Sequence, residues 1–252
     1  MGGPVHVLMH GTTLHGAQAR NPDFACNPTL YYAYDTPIGL ATWVVQSRAP
    51  AVRMGVVGLG SGAMAAYKRP GDSLTFFEID PMVDRMARDP RWFTFISDCA
   101  SGPVETVLGD ARLTLADQPD GAFDLLVVDA FSSDAIPTHL LTVEALADYL
   151  RVVGPTGVVV LHLSNRHLDI TQPAVAAARQ LGATERHRIY VEAPDRPDMS
   201  EASTEVLILS ATPEGLADFI TDPGWKTIVD TDVRPWTDDY VNLWGALMRG
   251  SF

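Results

Sequence analysis

The chain has 252 residues, 18 Lys plus Arg against 31 Asp plus Glu, and a formal charge of −13. That acidic excess argues against a nucleic-acid backbone as the main partner, because such a surface needs clustered cations. Apolar residues make up 46% and charged residues 19%, which excludes disorder and fits one large α/β domain with a small appended element.

The N-terminal stretch MGGPVHVLMHGTT has neither a basic n-region nor a continuous apolar h-region, so no leader peptide is expected. His6–Met9, Thr12–His15 and Leu30–Tyr34 read as short strands between polar or Pro-containing turns, and residues 1–36 are expected to form a small β-rich lobe. From Met54 onward, short runs of Val, Ile, Leu and Phe alternate with longer amphipathic ones, the rhythm of a parallel sheet with crossover helices. Strands are predicted at Met54–Val57, Leu74–Glu78, Val104–Leu108, Leu125–Val128 and Val158–Leu163, most of them apolar on both faces. Helices are predicted after Gly62, near Pro81, near Ala111, near Thr138 and at Pro173, since the first helical turn does not need the N–H that proline lacks. Glu205–Ser210 and Lys226–Val229 suit antiparallel edge strands, with a helix over Pro213–Ile220 between them. Residues 37–252 are expected to form one larger α/β domain. No run approaches the roughly 18 apolar residues of a membrane span.

Chemistry concentrates where the strands end. Gly58-Leu59-Gly60-Ser61-Gly62 follows the first strand, and glycines there permit positive φ and close backbone approach to a nucleotide. The motif alone serves dinucleotides, S-adenosyl compounds or simple packing. The next strand ends in Phe77-Glu78-Ile79-Asp80, placing carboxylates about 20 residues after the glycines, where a ribose diol is gripped. Glu78 suits that role, whereas Asp80 equally suits the cap of the helix opening at Pro81. Asp110, followed by Ala111, ends the third strand and can accept from an adenine amine or cap a helix. Asp129 ends the fourth, at the carboxyl edge where open α/β sheets bind ligands.

Gly, Glu, Asp and Asp on four successive strand ends form the pattern of the S-adenosylmethionine-dependent, Rossmann-like transferase fold. With HGTTLHGAQ (10–18), YYAYDTPIG (31–39), GLGSG (58–62), FEID (77–80), GDAR (109–112), DAFSSDAIPTHLLT (129–142), LHLSNRHLDI (161–170) and WTDDY (236–240), the chain resembles the spermidine synthase, or polyamine aminopropyltransferase, family. The resemblance is to the bacterial branch often fused to a membrane transporter-like domain. It implies a mostly parallel sheet of about seven strands with helices on both faces. It implies aminopropyl-type transfer from decarboxylated S-adenosylmethionine, or from S-adenosylmethionine itself, to a small cationic amine such as putrescine, with release of methylthioadenosine.

Residue by residue, the resemblance implies that Gln18 lies along the nucleoside sulfur and that Gly58, Gly60 and Gly62 approach the co-substrate. Glu78 would hold the ribose and Asp110 the adenine amine. Asp129 would orient and deprotonate the attacking amine with Tyr32 as its partner, and Asp134 would hold the cationic substrate. Two positions depart from the family. Ser61 stands where members carry Asp against the donor's amino group, and a hydroxyl there removes repulsion against a donor carboxylate. That opens carboxyaminopropyl transfer, intramolecular sulfonium chemistry or methyl transfer. Ala33 and Tyr34 stand where members carry His or Gln followed by Glu, leaving fewer polar groups toward the amine.

Asp238 and Asp239 sit in an aromatic setting that suits either an ammonium or a packed turn. His162, Asn165 and His167 follow the fifth strand, where they can line an acceptor pocket; a buried histidine satisfied by a carbonyl is the commoner case, and Asn165 is the one retained as a site residue. His6, His10 and His15 share no helix face and no HExxH motif occurs, so no metal is expected. Cys26 and Cys99 form no CxxC pair; neither a disulfide framework nor a zinc site is expected, and a reducing, cytoplasmic setting fits. Members of the family commonly form dimers or tetramers, and the number is left open. Methyl transfer and a non-catalytic nucleoside- or polyamine-binding module are the alternatives to the leading reading.

Overall fold

The computed structural model describes residues 3–11, 13–130, 138–165, 168–192, 199–229 and 231–249. An antiparallel hairpin, β1 (Val5–His10) and β2 (Thr13–Ala19), opens the chain, with a register shift between Leu8 and Met9. Helix α1 (Pro37–Ser47) follows, with proline in its first turn. Strand β3 (Arg53–Val57) leads through the glycine turn and a 3₁₀ segment, Ala63–Tyr67, to β4 (Ser73–Glu78) and α2 (Pro81–Arg88). Next come β5 (Glu105–Leu108), α3 (Ala111–Ala116), β6 (Leu125–Val128), α4 (Val143–Val153), β7 (Val158–His162) and α5 (Thr171–Gln180). Strands β8 (Thr184–Tyr190) and β9 (Thr204–Ser210) and helix α6 (Leu243–Arg249) complete it.

The main sheet has seven strands in the order β5-β4-β3-β6-β7-β9-β8. Its first five are parallel, while β9 is antiparallel to both β7 and β8. Alternation along the central strands divides the core. Val56, Val127, Val160 and Ile208 face Ile38, Ala41 and Val45 of α1. Val57, Val128, Leu161 and Leu207 face Leu146 and Leu150 of α4 and Ala174 and Ala178 of α5. Burial on both faces is why these strands are apolar throughout.

Several expectations are corrected. Leu30–Tyr32 is a 3₁₀ turn, not a strand; Leu30 has φ +57°, a conformation no strand contains. Lys226–Val229 forms only an isolated bridge, Lys226 with His187, so the edge is taken instead by β8, whose charged sequence TERHRIY hid it. Pro213–Phe219 is helical, of 3₁₀ type. Cys26 and Cys99, expected as separate thiols, are joined in a disulfide with Cα atoms 5.3 Å apart, a spacing that suits the bond. Seventy-three positions separate them, so no local motif could announce the pair. The bond ties the segment after β2 to a π-type turn at Phe95–Cys99.

Closing so long a loop constrains the unfolded chain. Replacing both cysteines with serine is expected to cost about 2–4 kcal/mol of stability in denaturant unfolding; an unchanged midpoint would contradict the link.

Candidate active site

The register of the parallel strands lines up the site. Val57 pairs with Phe77 on one side and Val128 on the other, and Val128 pairs with Leu161. One residue further along each strand lie Glu78, Gly58, Asp129 and His162, a row across β4, β3, β6 and β7. Gly58 has φ +90°, and a Cβ there would lie 2.2 Å from the Asp129 carbonyl oxygen, so only glycine fits between the acids. Gly60, at φ +53°, is pressed against the His15 carbonyl of the hairpin.

A cavity of about 1200 Å³ opens on this edge. Its described lining includes Glu78, Asp80, Asp110, Asp129, Glu192 and Glu205 but no lysine or arginine. Glu78 is buried; one oxygen accepts the Leu59 N–H at 2.9 Å and the other the Asp80 N–H at 2.9 Å. It therefore clamps the glycine turn to the end of β4 and keeps further lone pairs for a ligand. Asp80 caps α2 through Met82 N–H at 2.7 Å, and Asp110 caps α3 through Arg112 N–H at 2.8 Å. Both cap and both line the cavity, as does Ala111.

Asp129 is held by two side chains. The Tyr32 hydroxyl donates to its Oδ2, and His162 Nδ1 lies 2.6 Å from its Oδ1. The carboxylate and the imidazole are only 6% and 5% exposed. Burial, reinforced by the Asp129 charge, raises the Tyr31 and Tyr32 hydroxyls well above the ordinary phenol range, so both stay protonated donors. On the far wall, burial pushes the Glu205 carboxyl up. Hydrogen bonds from His187 (2.8 Å) and Thr171 (2.6 Å), with the nearby imidazole charges, outweigh that and hold it below the usual range.

Other expected residues lie elsewhere. The Gln18 amide donates to the Ala25 carbonyl at 2.8 Å and to Thr94 Oγ1 at 3.1 Å and accepts from Thr94 N–H at 2.7 Å, stapling β2 to the turn beyond Arg91. Ser61 is buried against Gly16 and its hydroxyl has no hydrogen-bond partner among the described residues, while Gly62 packs on Ile96. Asp238 accepts from Arg112 at 3.0 Å and from Thr142 at 2.7 Å, and Trp236 beside it is wholly buried. Neither Asp238 nor Asp239 lines the cavity. Asn165 does line it, and its side-chain oxygen accepts the Leu168 N–H. Asp134 and His167 lie outside the described residues. His162, read from sequence either as part of an acceptor pocket or as a core histidine, lines the cavity and is bonded to Asp129; its signal was its position at the end of the strand beside β6. Among the described residues no cluster of His, Cys, Asp or Glu is placed to hold a metal ion, and no helix is long and apolar enough to cross a membrane.

A polyamine aminopropyltransferase of Vibrio vulnificus is 32% identical over 113 residues, 43% of this chain and 36% of that protein. The chain is similar to that enzyme. The match spans little more than a third of the relative's length. A probable spermidine synthase from Corynebacterium glutamicum superposes over 95% of this chain and 94% of its own at 16% identity, with a TM-score of 0.58. The two chains share a fold. A spermidine synthase from Thermotoga maritima gives a TM-score of 0.49 at 15% identity over 77% of this chain and 64% of its own. No family model matches the chain.

Because Glu78 clamps the glycine turn to the end of β4 through two backbone N–H groups, Glu78→Ala is expected to cost about 2–4 kcal/mol of stability in denaturant unfolding. An unchanged midpoint would contradict the clamp.

Proposed function

We propose that this cavity transfers an aminopropyl-type group from an S-adenosyl donor to a small cationic amine such as putrescine, releasing methylthioadenosine. The observation that carries the reading is the row of Glu78 and Asp129 on either side of Gly58, in a cavity lined by acids and no described lysine or arginine. Glu78 is assigned to the ribose, Asp110 to the adenine amine, and the Gly58 and Gly60 backbone to the donor chain. Asp80 and Ala111 border the nucleoside, and Asp129 with Tyr32 receives the amine.

The chemistry follows from charge. An alkylammonium has no lone pair to attack with, so one proton must leave it before reaction, and Asp129 is the acceptor. The freed nitrogen forms a bond to carbon while the carbon–sulfur bond breaks and its electrons neutralise the sulfonium. The product is a secondary ammonium. Tyr32, held protonated, keeps the Asp129 carboxylate oriented, and the protein's contribution is alignment rather than covalent catalysis.

The same charge bears on the donor. Ser61 is buried in the packing against Gly16, away from the cavity lining, so the missing family carboxylate does not relieve charge where the donor tail lies. Decarboxylated S-adenosylmethionine carries two positive charges, and the intact form adds a carboxylate that six lining acids repel. The decarboxylated form is the donor we favour.

Two measurements check this reading. Mass spectrometry after incubation with both donors and a panel of amines is expected to find methylthioadenosine and an extended amine, with Asp129→Asn lowering kcat about 100-fold or more; S-adenosylhomocysteine as product would establish methyl transfer instead. Calorimetry is expected to give at least about tenfold tighter binding of the decarboxylated donor; equal or tighter binding of the intact form would contradict the assignment.

A further inference from the structure

The reading of Asp129 as the amine's acceptor leaves His162 without a role, yet the imidazole is built into the same site. Its Nδ1 lies 2.6 Å from Asp129 Oδ1, a separation at which nitrogen and oxygen share a proton. Its Nε2 lies 2.8 Å from Ser164 Oγ, which accepts the Glu205 N–H at 2.9 Å. With that N–H on one lone pair of Ser164, the hydroxyl proton can turn to Nε2, and the neutral ring then donates from Nδ1 to Asp129. The Tyr31 ring lies against the imidazole, centroids 4.6 Å apart at an interplanar angle of 33°.

The charged and titratable groups around the ring come from each neighbouring element. Asp129 comes from the end of β6, Tyr31 from the 3₁₀ turn, and Glu205 from β9 with His187 of β8 bonded to it. Beyond Gly58 stands Glu78. Of these, Asp129 is the acid in direct contact, so the charge on His162 is felt there first.

We infer that His162 is a positioning residue whose charge state gates the amine: neutral, it orients Asp129 and leaves the carboxylate's charge for an incoming ammonium; protonated, it cancels that charge and excludes the amine. This rests on the proposed amine site at Asp129. Two like charges competing for one buried carboxylate interact strongly, because little water screens them. A gate of this kind makes amine binding, rather than donor binding, fall as pH drops.

The test is calorimetric binding of 1,4-diaminobutane, doubly protonated from pH 5.5 to 8.0, to the full chain saturated with methylthioadenosine. Wild-type affinity is expected to rise about fivefold or more across that range. His162→Gln, which keeps a donor toward Asp129 but cannot titrate, is expected to bind with affinity constant within about twofold. His187→Gln, which removes the imidazole on Glu205, is expected to keep the rise. An equal rise in His162→Gln, or its loss in His187→Gln, would overturn the gate. Absence of diamine binding to wild type at every pH would instead overturn the amine site on which the gate rests.

A second readout does not need the variant to fold. In ¹⁵N-histidine-labelled wild type at pH 6, saturating diamine must shift His162 toward its neutral form, because a ligand that prefers one protonation state drives the protein into it. Unchanged or increased protonation would overturn the inference.

Discussion

Four parallel strands end in register, and the row they create sets what the cavity can bind. Glu78, Gly58, Asp129 and His162 succeed one another across β4, β3, β6 and β7 because the rung before them, Phe77, Val57, Val128 and Leu161, is fixed by apolar packing on both faces of the sheet. A slip of one residue in any of these strands would turn its polar end residue to the opposite face. The core thus specifies the site: burying Val57 and Val128 against α4 is the same event as bringing Asp129 to the face where Tyr32 stands.

Buried carboxylates persist only where donors satisfy them, since burying charge without partners is costly. Each acid at this edge, buried or exposed, takes its donors differently. Glu78 takes two backbone N–H groups and so becomes part of the scaffold of the glycine turn. Asp80 and Asp110 use one oxygen each to begin a helix. Asp129 is held by side chains, a tyrosine and a histidine, and one of these can change charge. The described lining supplies no permanent cation to complete the balance, and a doubly charged sulfonium donor with a doubly charged diamine would do so.

The central sheet was legible because β3, β6 and β7 are apolar at every buried position except the final His162 of β7, and the strand-end acids were legible because their spacing follows from it. What escaped depended on contacts distant in sequence. The aromatic run at Leu30–Tyr32 reads as a strand until its packing against Asp129 bends it into a turn. Strand β8 carries Glu185, Arg186, His187 and Arg188 at the edge of the sheet, where Arg179, Glu205 and Asp222 pair with Glu185, His187 and Arg188. Gln18 and Asp238 have polar side chains in conspicuous motifs, yet both are absorbed by structural bonds, to Thr94 and to Arg112. For His162 a place beside an acceptor pocket was legible, and the bond to Asp129 was not. Its partner lies 33 positions away and becomes visible only when β6 and β7 are laid side by side.

A crystal structure of the chain with methylthioadenosine and a diamine bound tests the central claim most directly. The account predicts the ribose hydroxyls on Glu78, the adenine amine within hydrogen-bond reach of Asp110, and one ammonium nitrogen on Asp129 at about 2.7–3.0 Å. A nucleoside seated away from Glu78, or a diamine held by acids other than Asp129, would contradict it.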